Sequence, residues 1–420
     1  MSSHAAAEDF GRRLLRLDAG VEKIIDAAAE NPDSTIVQLC AAAFYLYGQT
    51  ADCDAMAEKH ISEATRTAAS DRERMLLEAL SHWQRREFFA ALAGFEEITA
   101  RWPDDLLSAK FAEFLYYVLG QQHLGGRFLA HMRRIGDANA GDPDYLGMLA
   151  FAHELCGHFG EARTAAEQSL AIVSRNPWAQ HALTHVLIRE GLVGEGRSAM
   201  EKFLPELKTC GRPIYCHDAW HLGLLCLEEL DYAGAERVLR EHVWGIVPDM
   251  VGEQIDAIAL GWRMEMAGYR VDSLWSEITP HIEARALECF MPFLNAHHAY
   301  ALARAGRNDV LEALFAAVDA RADHDDEESR HSWAGAGRAI VRASALHGAG
   351  RNAECAEVLE AILPDLTRVG GSDAQDDLFR QMYFNALAAG GRKSEARAYW
   401  EKFSGARPPT PLDREFYSRT

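Results

Sequence analysis

Apolar positions in this chain recur at spacings of three and four rather than two. From Ala162 to Val173, the residues Ala162, Ala165, Ala166, Ser169, Leu170 and Val173 line one side of a helix. Ala- and Leu-rich segments of this kind recur throughout, while alternating Val, Ile and Thr runs are nearly absent. The 13 prolines and most glycines fall between the amphipathic segments, where helices stop. The pattern predicts an all-α chain.

The breaks are themselves periodic. Helices of about 14 residues end at Gly120, Gly157, Gly191, Leu230, Gly268, Gly306, Gly350 and Gly390, at intervals of 37, 34, 39, 38, 38, 44 and 40 residues. A small residue follows several breaks about five positions on, as with Ala162 and Ala235, and an apolar one such as Leu239 comes next. Ala91, Phe95, Ile98 and Pro103 repeat the beat earlier, Pro103 closing a second helix. A period in the thirties with Gly at the turn is the helix-turn-helix signature of tetratricopeptide repeats. Each hairpin buries its apolar stripe only against its neighbours, so stacking builds one continuous core. The expected architecture is a single α-α superhelix of about ten such hairpins. It would run over residues 1–420, with degenerate repeats in 1–140, histidine-bearing repeats in 141–310 and C-terminal repeats in 311–420. The polar run Arg321 to Arg330 reads as a solvated loop or a helix start.

Charge and cysteine usage narrow the partners and the setting. The 420 residues carry 43 Lys and Arg against 63 Asp and Glu, a net charge of −20 that repels a phosphate backbone and excludes nucleic acid. Hydrophobic residues at 48% and charged ones at 25% fit a folded chain. The eight cysteines include no C-x-x-C pair and read as small buried hydrophobes of a reducing compartment. The opening MSSHAAAEDFGRR lacks the apolar stretch of a secretory signal. Ser34 to Ala51 has no Asp, Glu, Lys or Arg, but its apolar centre, Leu39 to Tyr47, is too short to cross about 30 Å of hydrocarbon. A soluble, cytoplasmic protein with no membrane partner is expected.

Histidines supply the candidate chemistry. Two neighbouring helices each carry an i,i+4 pair, His181 with His185 and His217 with His221, and that spacing puts both rings of a pair on one face. Counted from the turns, most of these positions face the concave groove of a repeat array. Packed helices lie about 8–10 Å apart, so the four imidazoles could converge on one small ligand or ion. Asn295, His297 and His298 follow on a later helix, and His153 with Glu154 precede on an earlier one. A single helical histidine such as His153, His158, His242 or His347 is more often a satisfied core or surface residue. Two pairs on consecutive inner helices are harder to dismiss, because a buried imidazole needs a partner. With Asp218 or Asp256 nearby, the pairs could ligate zinc or iron, since neutral imidazole suits both. Without metal, the same rings could act as general acid and base. The sequence holds no H-E-x-x-H, phosphate loop, dinucleotide fingerprint or nucleophile elbow.

Several stretches, in order, resemble the tetratricopeptide-repeat-protein-38 family over nearly the whole chain. They are His181-Ala-Leu-Thr-His185-Val, Cys216-His217-Asp218-Ala219-Trp220-His221, Asp256-Ala257 with Trp262-Arg263, Phe293-Leu294-Asn295-Ala296-His297, and Gly370-Gly371-Ser372-Asp373-Ala374-Gln375-Asp376-Asp377-Leu378-Phe379. The last is the most specific, since repeat packing gives no reason for it. Asn295 departs from the Asp expected in relatives, which puts a carboxylate role there in doubt. The resemblance implies a single superhelix with a polar interior and no settled reaction. The residues themselves allow Ser372 to cap the helix through Phe379, with Gln375 in its first turn, and that helix N-terminus to face an anionic group. Arg263 could clamp a carboxylate in bidentate fashion. Trp262 and Trp220 read as groove walls or, singly, as core.

Two functions compete. In one, His181, His185, His217, His221 and His297 line a pocket, and Asp256, Trp262, Arg263, Asn295, Ser372 and Gln375 orient a small, anionic substrate for hydrolysis or proton transfer. No cofactor is evident beyond a divalent metal. In the other, the groove is a non-enzymatic scaffold for a peptide or protein, or joins copies of the chain. Grooves that grip a peptide carboxylate present Lys, Arg and Asn; histidines and a charge of −20 disfavour that form.

Overall fold

A computed structural model describes residues 2–405 and 407–420. Helices follow one another from Ser3–Arg16 to Pro411–Ser418, and the described residues form no strand beyond one bridge between Asp18 and Cys210. The described residues form an all-α array of consecutive helical hairpins.

The turns fall on the periodic breaks. Gly120, Gly157, Gly191, Leu230, Gly268, Gly306 and Gly350 all have left-handed backbones, with φ between 61° and 100°. At the last break the left-handed residue is Gly391 (φ 87°), one position beyond the expected Gly390. Gln49 and Arg86, at φ 58° and 61°, continue the beat towards the N-terminus. At Gly157 this geometry lets its N–H reach Glu154 O at 2.8 Å and the next N–H reach His153 O at 3.0 Å, satisfying carbonyls at the helix end.

The chain divides into two compact units. The first comprises residues 1–183 and 206–214, the second 184–205 and 215–420, so the boundary falls inside helix Pro177–Arg189. In the first unit the indole of Trp83 packs among Phe95, Phe111 and Phe114. Helix Thr35–Leu46 is buried along most of its length, and no helix among the described residues is long and apolar enough to cross a membrane. Lys110 is buried too; its ammonium pairs with Glu113 and lies 3.4 Å from the centre of the Trp178 ring. In the second unit Trp262 stacks on Tyr300 at 3.9 Å, and Trp275 meets Tyr300 edge-on. All eight cysteines are thiols. The 321–330 run ends helix Asn308–Ala322, loops, and starts the next helical segment, where Asp326 Oδ1 accepts from Ser329 N at 2.6 Å.

Two helices of the second unit approach closely because one position lacks a side chain. A Cβ at Gly223, on helix Arg212–Glu228, would lie 2.7 Å from Leu260 on helix Val251–Met266. That contact brings the polar residues of these two helices together.

The turns give a matched pair of substitutions. Gly157 is left-handed, Gly160 is helical, and a Cβ at either meets nothing within 4 Å. Gly157→Ala should therefore destabilise by about 1 kcal/mol, and Gly160→Ala should stabilise by about 0.5 kcal/mol. Thermal unfolding of the two variants checks this. Equal shifts would show that backbone conformation does not set the turn.

Candidate functional site

The second unit gathers its polar side chains from four helices: Pro177–Arg189, Arg212–Glu228, Val251–Met266 and Asp373–Ala389. Two imidazole–carboxylate pairs form the framework. His217 Nδ1 lies 3.1 Å from Asp256 Oδ1, and His185 Nδ1 lies 3.0 Å from Asp373 Oδ1. A carboxylate accepting from Nδ1–H places the ring lone pair on Nε2. His221 lies between the two pairs, its ring 4.6 Å from that of His185 and 4.9 Å from that of His217, with Trp220 4.7 Å away. His185, His221 and Asp373 are buried, and His217 is half-buried.

Around this framework stand charges with unequal compensation. Arg189, one turn beyond His185, donates from Nε to Asp373 Oδ2 and from Nη1 to Asp377 Oδ2, each at 2.6 Å. Asp218 is 0% exposed, and neither of its carboxyl oxygens has a hydrogen-bond partner. Burial pushes this carboxyl well above the usual range and Asp256 adds to the rise, while a charged His185 pulls it back. Asp376 is equally buried and equally without hydrogen bonds, and burial raises it too. Arg263 is 4% exposed and donates only to two carbonyls, Ala374 O at 2.7 Å and Ala259 O at 3.4 Å. No carboxylate among the described residues reaches ion-pair distance of it, and burial lowers this guanidinium to about 10. Its charge lies 5.3 Å from the centre of the Trp220 ring.

The other residues singled out in the sequence take varied places. Ser372 is the N-cap residue of helix Asp373–Ala389, but the bond runs from its backbone N–H to Gln375 Oε1 at 2.9 Å. Together Ser372 and Gln375 form a capping box at the start of this helix, with the buried Ser372 hydroxyl facing the Gln375 backbone. His297 is held by Phe293 O at 2.8 Å through Nδ1, between Phe293, Trp262 and Phe379, and its Nε2 has no partner. Burial, joined by the Arg263 charge, lowers His297 to about 3. Trp262 is core: it stacks on Tyr300 and donates to His347 Nδ1 at 3.0 Å. Asn295 donates to Ala286 O at 2.6 Å and so ties down the turn before its own helix. His181 belongs to the first unit, where its ring meets Phe151 and Trp178 edge-on. An open groove of about 570 Å³, in the first unit, is lined by Leu149, His153, Gly160, Glu161, Thr164, Ala165 and Gln168 and holds none of these residues.

Sequence reasoning passed over Arg189 and assigned no role to Asp373 or Asp376. Arg189 could have been found, since it follows His185 at the same i,i+4 spacing as the histidines. Asp373 and Asp376 sit in the unusual Gly-Gly-Ser-Asp-Ala-Gln-Asp segment, but nothing in that segment says what they face. His347 and His242 are satisfied singly, bonded to Trp262 with Asn385 and to Tyr215.

No family model matches the sequence. Among solved structures, that of Naa15/Naa10 bound to HypK-THB aligns at a TM-score of 0.25 and 12% identity, over 98% of this chain and 64% of that one. The chain thus spans less than two thirds of the protein it aligns with, and the fold stands on its own hairpins.

Two measurements follow from these contacts. Asp373 carries both His185 and Arg189, so Asp373→Ala should destabilise by about 3 kcal/mol or more. Asp377→Ala, at the more exposed end of Arg189, should cost no more than about 1 kcal/mol; equal costs in thermal unfolding would remove Asp373 from its central place. His298 has no partner on either ring nitrogen, and burial lowers it to about 3, with the Arg285 charge adding to the fall. A folded value below the unfolded one of about 6.5 means that the unfolded chain takes up the proton first. Its contribution is intact above about pH 6.5 and is lost as the pH falls towards the folded value. His298→Leu should therefore flatten the decline in melting temperature on acidification, and an unchanged slope would refute this.

Proposed function

We propose that this protein is a helical-repeat protein whose second unit holds a buried polar centre for a small, anionic molecule. The chemistry is acid–base or metal-assisted. The observation that carries this reading is Arg263, a buried guanidinium bonded only to carbonyls, whose charge is felt by the buried His297 with its unbonded Nε2. A buried guanidinium with no carboxylate at ion-pair distance is costly, since Asp377, Glu228 and Asp256 act on it only from farther off, and an anion entering beside it would supply a direct countercharge.

The chemistry comes from the other end of the same helix face. Asp256 and Arg263 are seven residues apart on helix Val251–Met266, so they share a side two turns apart. Asp256 orients His217 as Asp373 orients His185, and an imidazole held by a carboxylate is suited to take and return a proton. Asp218 adds a carboxyl whose affinity for a proton is raised by burial, the direction that favours donation to a developing charge. His185, His217 and His221 are the acid–base groups of this reading, and Arg263 with Ser372 and His297 the anion-holding groups. His181, in the other unit, is not needed for it. The motif from Gly370 to Phe379 supports placing the chain with the tetratricopeptide-repeat-protein-38 family, and eight thiols fit a cytoplasmic setting.

A second reading, a scaffold for a protein partner, draws on a different feature. Ile246 and Val247 are 53% and 43% exposed, on a loop whose N–H groups at Gly245, Ile246 and Val247 are all gathered by Glu253. An apolar tip on a fixed loop suits a protein surface.

A thermal-shift panel of small carboxylates and phosphates separates the two. Under the small-molecule reading, at least one anion raises the melting temperature by several degrees at 100-fold excess over its Kd. Arg263→Lys, which keeps the charge and loses the fork, should abolish most of that shift. A panel with no stabilising anion, or a shift equal in Arg263→Lys, would leave the scaffold reading.

A further inference from the structure

We infer that Lys110 is the nucleophile of a separate site in the first unit, an amine that captures a small neutral aldehyde or ketone as an imine. The site stands apart from the polar centre of the second unit and does not rest on it. Six of the seven lysines, Lys23, Lys59, Lys202, Lys208, Lys393 and Lys402, are exposed, whereas Lys110 is 3% exposed. On helix Leu106–Leu119 its Nζ donates to Glu113, one turn on, and lies 3.4 Å from the centre of the Trp178 ring. The Tyr47 hydroxyl donates to Lys110 O at 3.3 Å and holds that turn in place. Asp144, paired with Arg16 at 2.7 Å, acts on the amine from farther off, and His181 meets Trp178 edge-on.

Two features separate this arrangement from a packed ion pair. An ammonium has three N–H bonds, and Glu113 with the ring face answers two at most. The indole N–H of Trp178, itself buried, has no acceptor either. Two donors short of an acceptor thus stand on the same indole, and a carbonyl oxygen supplies what both lack. Burial also lowers the affinity of Lys110 for its proton more than Glu113 and Asp144 raise it, which favours the free amine that attacks. In the reaction Glu113 takes one proton of the ammonium and frees the lone pair, which attacks the carbonyl carbon as the C=O π pair moves to oxygen. That oxygen takes a second proton from nitrogen, then the one held by Glu113, and leaves as water while the nitrogen lone pair forms C=N. The iminium carries the same single charge as the ammonium it replaces, so the Glu113 carboxylate and the Trp178 face stabilise it in the same way. A neutral carbonyl compound is favoured over an oxo acid, because Glu113 and Asp144 repel a further carboxylate.

The test treats the full chain at neutral pH with glycolaldehyde and sodium cyanoborohydride, which delivers hydride to the iminium carbon and leaves a stable secondary amine. Peptide mass mapping follows all seven lysines with time. Lys110 should be labelled at least about 10-fold faster than any exposed lysine, and its lead should shrink as the pH rises towards about 10.4, where ordinary lysines lose their protons too. Trp178→Phe keeps an aromatic face and removes the indole N–H; it should slow labelling of Lys110 by about 3- to 10-fold, the worth of one neutral hydrogen bond. The native chain decides the test if that variant fails to fold. Labelling is repeated in urea below the unfolding transition, where a reaction in the folded site is unchanged or slowed. Lys110 labelled no faster than the exposed six overturns the inference. So does labelling that speeds up in urea, which marks access only through unfolding, or a folded Trp178→Phe chain labelled as fast as the native one.

Discussion

Burying imidazoles and carboxylates among apolar helices is tolerated only where each charge or dipole meets a partner. In the second unit that constraint is met by side chains from different helices. His217 on helix Arg212–Glu228 meets Asp256 on helix Val251–Met266, and His185 on helix Pro177–Arg189 meets Asp373 on helix Asp373–Ala389. Arg189 then ties Asp373 to Asp377. The last connection joins segments nearly two hundred residues apart in sequence, so local helix formation alone cannot satisfy these groups. The polar centre and the packing of the second unit depend on each other.

The same constraint explains which groups stand out. Most buried polar atoms here are answered: His347 lies between Trp262 and Asn385, Glu265 gathers Arg304, Tyr300 and Trp275, and Glu253 caps a loop. Against that background Asp218, Asp376, Arg263 and His297 each keep a buried atom or charge without a close partner. They belong to the helices that carry the histidine–carboxylate pairs, or to helix Pro292–Arg304 beside them. Sites where a fold leaves polar groups unanswered are where ligands find their free energy of binding.

How legible this was in the sequence varies with the range of the interaction. The spacing of apolar residues and the breaks from Gly120 to Gly350 report contacts within one hairpin, and the left-handed turns fall on them. Gln49 and Arg86 were not legible, because a non-glycine residue at a left-handed turn leaves no composition signal. The i,i+4 histidines marked two of the helices that carry the cluster, and Asp256 and Arg263 were drawn in by motif. The partners were another matter. Asp373 was visible only as part of an odd segment, and nothing local said that it would meet His185. Asn295 and Trp262 show the reverse: polar or aromatic residues in a suggestive place that serve a turn and a core.

The sequence by itself determined the all-helical class, the hairpin period and the faces on which histidines stand, because these follow from residues within a few turns of one another. Only the tertiary structure decided which carboxylate answers which imidazole, and that Asp218 and Arg263 are buried without the partners their charges call for. Those facts depend on helices brought together across most of the second unit, and the close approach of helices Arg212–Glu228 and Val251–Met266 at Gly223 is one contact that brings them there.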